Sequence, residues 1–105
     1  FVSIHADSCN NSSARGYTVY VARSASMESN EASRYLLRAM HATGFENRGK
    51  RKADFRVLAK TRCPAVLVEL GYLSNYTDAR LLNQRQTQYN FAKAIANGIV
   101  QSVSN

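Results

Sequence analysis

Apolar and polar positions fall along this chain in blocks whose period changes from strand-like to helix-like. Phe1-Val2-Ser3-Ile4-His5 is a short apolar run that gives way at once to Ala6-Asp7-Ser8-Cys9-Asn10-Asn11-Ser12-Ser13, a stretch rich in turn formers. It predicts a strand with His5 at its end. Gly16 opens a second run, Tyr17-Thr18-Val19-Tyr20-Val21, whose aromatic and β-branched residues suit a pleated surface. From Ser29 the period changes. Ala32, Tyr35, Leu36, Ala39 and Met40 fall at i, i+3, i+4, i+7 and i+8, with Arg34, Arg38 and His41 on other faces, which predicts an amphipathic helix. Ser29 or Asn30 reads as its cap, Glu31 suits the positive end of its dipole, and Gly44 reads as its stop. His41, off the apolar stripe, is expected to face solvent.

A basic loop follows, then Phe55-Arg56-Val57-Leu58 as a short possible strand, and Ala65-Val66-Leu67-Val68-Glu69 as a nearly continuous apolar strand of the kind buried on both faces. Pro64 stands at its start, where a missing ladder donor matters least, and Gly71 ends or kinks it. A helix is expected from Asp78 to Arg85, with Thr77 or Asp78 as cap and Leu81 and Leu82 facing inward. A closing helix carries Phe91, Ala92, Ile95, Ile99 and Val103 on one stripe. Strands alternating with helices predict an α/β domain with a partly parallel sheet flanked by helices.

At 105 residues, with 45% hydrophobic and 20% charged positions, the chain has the size and composition of one globular domain and not of a low-complexity segment. It lacks any run of about 18 apolar residues, so no membrane-spanning helix is predicted. Fourteen Lys and Arg against seven Asp and Glu give a formal charge of +7, which favours polyanionic surroundings. The densest cluster is Arg48, Lys50, Arg51 and Lys52, with Arg56 just beyond, and it reads as a solvated basic loop. No stacking-aromatic array or groove-entering helix accompanies it, so nucleic acid is not an expected partner. Cys9 and Cys63 are the two cysteines, and they are not in a Cys-x-x-Cys spacing; their redox state stays open. With no initiating Met, signal peptide or lipidation motif, and a strand already under way at Phe1, the sequence is expected to be a piece of something longer.

Two polar residues interrupt the apolar strands at their ends: His5 and Glu69. Ligands of open α/β sheets gather beyond the carboxyl ends of the strands, so this pair can face one crevice. An imidazole supplies a metal ligand, and a carboxylate supplies a base or a second ligand. Each also has a structural reading, the histidine as a hydrogen-bonded strand end and the glutamate as a surface charge or an arginine partner.

Ser3-Ile4-His5-Ala6-Asp7, Gly16-Tyr17-Thr18-Val19-Tyr20 and above all Pro64-Ala65-Val66-Leu67-Val68-Glu69-Leu70-Gly71-Tyr72-Leu73-Ser74-Asn75 resemble the zinc-dependent N-acetylmuramoyl-L-alanine amidases of the Amidase_3 type. The resemblance extends through Leu81-Leu82 and the closing helix at Ala94 to Ile99, and so covers essentially residues 1–105. It implies a peptidoglycan hydrolase that cuts the amide between N-acetylmuramic acid and L-alanine of the stem peptide, outside the cytoplasm, in the periplasm or at the cell envelope. Carried over, His5 matches a zinc ligand and Glu69 the catalytic glutamate. Ser74 and Asn75 are expected to hold the loop beyond Glu69 by side-chain to backbone hydrogen bonds, and Tyr72 to pack.

The resemblance also implies what this stretch lacks. Family members carry, upstream, a first strand ending in a Gly-His-Gly type motif and a helix bearing a glutamate, which give the other two zinc ligands. The sequence therefore reads as the C-terminal part of a single catalytic domain without its first strand and helix, and the remaining ligands are expected from an upstream fragment or chain. An inhibitory helix, which some members insert between the strand near Tyr20 and the helix near Leu36, does not fit in the short connection here. The alternative reading is a non-catalytic wall-binding or regulatory remnant of the same scaffold.

Overall fold

The computed structural model describes residues 1–104. Its elements are β1 (Val2–Asp7), β2 (Tyr17–Val21), α1 (Met27–Met40) with a 3-10 turn at His41–Thr43, β3 (Asn47–Lys52), α2 (Arg56–Ala59), β4 (Val66–Tyr72), α3 (Tyr76–Leu82) and α4 (Arg85–Ser104). The strands form one sheet in the order β1-β4-β2-β3. β1 runs parallel to β4 and β2 parallel to β3, while β2 and β4 are antiparallel, so the sheet is partly parallel as expected.

Alternation along the strands sorts side chains onto two unlike faces. Tyr17, Val19 and Val21 of β2 and Val66 and Val68 of β4 turn to one side. There they pack with Leu36 and Met40 of α1, Leu82 of α3, and Phe91, Ala94 and Ile95 of α4. Gly98 sets how closely α4 approaches α1. A Cβ there would lie 3.0 Å from Leu36 Cδ2 and 3.1 Å from Leu36 Cα. The opposite face is covered at one end only. Ala22, Leu58, Ala65 and Leu67 gather there with Tyr20, whose ring meets Phe55 edge-on at 5.2 Å. The other end of that face, toward the carboxyl ends of β1 and β4, is polar, with Glu69 and Thr18 buried and His5 exposed.

Several local expectations are corrected. The basic loop is strand β3, an edge strand whose polar residues give no apolar alternation, and Gly49, at φ +85°, accommodates a register shift against β2. Phe55 to Leu58 is not a strand, because Phe55 leads into the single turn of α2 with Leu58 as its buried residue. α1 starts earlier than its apolar period suggests. Ser26 is the cap and accepts from the Ser29 backbone amide, Glu28 occupies the first turn, and Glu31 instead faces Arg34 at 3.8 Å on the surface. Gly44 does end this segment, in the left-handed conformation. α3 is capped by Asn75, not Thr77 or Asp78, and stops at Leu82. In α4 the buried stripe is Phe91, Ala94, Ile95 and Gly98, while Ala92 and Val103 are exposed, because the closely packed α1 selects the small residues. β1 runs on past His5 to Asp7, and β4 past Glu69 to Tyr72.

Candidate active site

His5 and Glu69 are partners in the β1–β4 register, and Thr18 of β2 is the partner of Glu69 on its other side. Directly opposed residues share a face, so His5, Glu69 and Thr18 form one row across the sheet on the side away from α1 and α4. The two residues picked out from the sequence are thus brought together. Their surroundings differ sharply: His5 is exposed, whereas Glu69 is only 4% exposed. The imidazole Nε2 lies 2.7 Å from Ser3 Oγ, two residues back on the same strand and the same face.

Glu69 is gripped from the neighbouring strand. The Asp7 backbone amide donates to Glu69 Oε1 at 2.6 Å. Burial pushes the Glu69 carboxyl up to about 7; the Asp7 amide opposes this, and the adjacent Asp7 carboxyl reinforces it. The carboxyl thus changes protonation near neutrality, where an ordinary glutamate is fully ionised.

A bulge completes the face. The β1–β4 register slips between the His5–Glu69 pair and the Asp7–Tyr72 pair, which inserts one extra residue on β4. That extra residue returns Tyr72 to the same face as Glu69. Arg48 of β3 reaches over its ring, with the guanidinium carbon 5.2 Å from the centroid. Tyr72 therefore packs, but against an arginine that sequence reasoning placed in a solvated loop. The loop beyond is tied down as expected: Ser74 Oγ accepts from the Cys9 amide at 2.9 Å, and Asn75 Nδ2 donates to the Ser12 carbonyl at 3.0 Å. Asn75 Oδ1 also accepts from the Asp78 amide.

Three contributors escape the sequence reading. Asp78 is 1% exposed, and its Oδ2 accepts from the Gly16 amide at 2.8 Å and the Tyr72 amide at 3.1 Å, pinning the start of β2 to the end of β4. An acid at the third position of a capped helix reads as a dipole partner, and nothing local shows that it is buried. Thr18, fully buried, leaves its hydroxyl without a hydrogen-bond partner among the described residues, and so does the buried Nε of Arg48. His41 is exposed, as its position off the apolar stripe suggests. Cys9 and Cys63 are free and exposed.

Zinc needs three or four N, S or O donors converging on one point. The exposed His5 imidazole, held by Ser3, fits one such position. Among the described residues no three His, Cys, Asp or Glu side chains converge, so these residues do not complete a metal site by themselves.

Residues 1–101 match the family Amidase_3, N-acetylmuramoyl-L-alanine amidase. The chain belongs to this family. It is 36% identical over 106 residues to the probable cell wall amidase LytH of Staphylococcus epidermidis, covering all of this chain and 35% of that protein. The catalytic domain of CwlV, an N-acetylmuramoyl-L-alanine amidase from Bacillus (Paenibacillus) polymyxa var. colistinus, superposes with a TM-score of 0.91 at 38% identity, over 99% of this chain and 57% of that one. The amidase AmiC2 of Nostoc punctiforme gives 0.91 at 34% identity, over 100% and 58%. The Amidase_3 fold is therefore shared throughout this chain, which spans about a third of the curated relatives and somewhat more than half of the solved amidase chains.

Proposed function

We propose that this chain carries the acid–base part of an N-acetylmuramoyl-L-alanine amidase active site, acting on peptidoglycan outside the cytoplasm or at the cell envelope. The bond cut is the amide between the lactyl group of N-acetylmuramic acid and L-alanine of the stem peptide. One observation carries the reading: the register sets an exposed His5 beside a buried Glu69, on the face away from α1 and α4, in a sheet built like those of the amidases.

Glu69 is the acid–base group. Oε1 is occupied by the Asp7 amide, which leaves Oε2 to take a proton from the attacking water and to return one to the departing L-alanine amine. Burial makes this carboxylate a stronger base than one in water, and the Asp7 amide keeps it from rotating away. His5 is one ligand of a zinc ion whose other ligands lie outside the described residues. Bound zinc supplies positive charge that polarises the scissile carbonyl. Ser3 Oγ fixes the imidazole ring, as partners behind metal-binding histidines do.

The test is Glu69→Gln in the full-length protein, measured as new L-alanine amino termini released from purified peptidoglycan. Removal of the acid–base group lowers turnover by about 100- to 10,000-fold. Undiminished release overturns the assignment. The incomplete donor set among the described residues favours a second reading, a wall-binding scaffold without catalysis. That reading predicts peptidoglycan co-sedimentation unaffected by a chelator and by His5→Ala, with no amide cleavage by the unsubstituted protein.

A further inference from the structure

We propose that Arg48, supported by Arg51, is a specificity-determining residue that receives a carboxylate of the peptide substrate close to the scissile amide. The inference rests on the amidase reading and names the chemistry of the group bound next to Glu69.

Strand β3 splits its positive charge between the two faces of the sheet. Lys50 and Lys52 are register partners of Val19 and Val21, whose side chains enter the helical layer, and Lys50 Nζ donates to Asn30 Oδ1 of α1 at 3.0 Å. Arg51 is the partner of Tyr20 and so shares the face of Glu69. Its charge acts on Tyr20, whose hydroxyl is raised above the ordinary tyrosine range chiefly by burial and next by Tyr72, with Arg51 pulling the other way. Arg48 lies in the slipped part of the register opposite Thr18, and its guanidinium reaches across β2 to the Tyr72 ring at 5.2 Å. Two of the four cations on β3 thus belong to the site.

Arg48 is prepared for a planar anion, and among the described residues no carboxylate forms an ion pair with it. The Tyr72 ring covers one face of the guanidinium, a cation–π contact that leaves the edges free to donate. Its Nε is buried without a hydrogen-bond partner among the described residues, as is the hydroxyl of Thr18 in the same row as Glu69. A buried donor without a partner is unfavourable unless a ligand oxygen supplies one. Nε and a neighbouring Nη together match the two oxygens of a carboxylate. Asp7 and Glu69 stand toward the β1 side, so an anion is admitted only on the β3 side. A substrate whose scissile amide lies at Glu69 therefore extends its peptide carboxylate toward Arg48.

The experiment uses the full-length protein and two synthetic N-acetylmuramoyl dipeptides of L-alanyl-D-glutamate, both with the γ-carboxyl of D-glutamate blocked as its methylamide, one carrying a free α-carboxylate and the other an α-carboxamide. Binding is read by equilibrium titration and cleavage by amine release. The protein is expected to bind the carboxylate about tenfold or more tightly over the amide, the size of effect given by a charge-assisted bidentate contact. Arg48→Gln is expected to bring that ratio to near one, and Arg48→Lys, which keeps the charge without the fork, to leave it intermediate. Lys52→Gln removes the same charge from the opposite face and is expected to keep the preference. Equal binding of the two peptides by the unsubstituted protein, or an undiminished ratio in Arg48→Gln, overturns the proposal. Binding with the predicted ratio but without cleavage of either peptide counts against the amidase reading alone.

Discussion

At the scale of single residues, two buried carboxyl groups do opposite work. Asp78 is held by two backbone amides, and both bonds end on Oδ2. Asp78→Ala leaves the Gly16 and Tyr72 amides unpaired in the interior and is expected to lower stability by about 2–4 kcal/mol, read as a drop in the urea midpoint. Asp78→Asn, with its carbonyl oxygen in that place, is expected to lose less than half as much. Glu69, in contrast, is buried at an energetic loss. Its carboxyl is raised from 4.5 to about 7, so the folded chain holds a proton that the unfolded chain has already released between those values. Stability therefore falls as pH rises from about 4.5 through about 7 and is flat above. Glu69→Gln keeps an acceptor for the Asp7 amide and removes the buried charge. It is expected to stabilise the protein by about 2–3 kcal/mol at pH 8 and by almost nothing at pH 4.5, as measured by thermal unfolding across that range. A stabilisation independent of pH would show that the charge is not the cause. The residue that destabilises the fold is the one assigned to the chemistry.

At the scale of elements, the long apolar run of β4, the β-rich run of β2 and the helical period of α1 are legible because burial writes itself into the sequence. So is the meeting of His5 with Glu69, since both lie toward the carboxyl ends of strands in one sheet, although each strand runs two or three residues further. β3 is not legible in this way. Its sequence, Asn47-Arg48-Gly49-Lys50-Arg51-Lys52, contains no apolar residue, because an edge strand exposed along one side needs none. Missing β3 hides Arg48 and Arg51 from the site, since a loop has no faces to sort them. The caps fail for a related reason: Ser26 and Asn75 cap through geometry set by the preceding chain, while Ser29 is turned to the interior, where its Oγ accepts from the Ala65 amide at 3.0 Å. Of the expected α4 stripe, Phe91, Ile95 and Ile99 do face the core and Ala92 and Val103 do not, while Ala94 and Gly98, weakly apolar by themselves, are buried at the α1–α4 contact. Gly98→Val tests that contact. A branched side chain meets Leu36 backbone and side chain together, and the substitution is expected to cost about 1–3 kcal/mol, seen as a lower thermal midpoint.

At the scale of the whole molecule, neither face of the sheet is covered evenly. The helical layer buries β2 and β4 on one side but leaves Ile4 of the outer strand β1, on that same side, 52% exposed, and the other face carries a helix only at α2. His5 offers one imidazole, Asp7 and Glu69 are engaged with each other, and Cys9 and Cys63 sit elsewhere without converging on them. One imidazole on an exposed strand end holds zinc far more weakly than a three-donor site. After dialysis against metal-free buffer, the 105-residue chain is therefore expected to retain a zinc-to-protein ratio near zero by atomic absorption. The full-length protein is expected to retain a ratio near one and to lose it in His5→Ala. A ratio near one in the short chain would mean that Asp7 or Glu69 turns to join His5 at the metal. Glu69→Gln separates the two: if it releases zinc along with activity, Glu69 is a ligand and not the acid–base group, and if zinc stays bound, Asp7 is the added ligand.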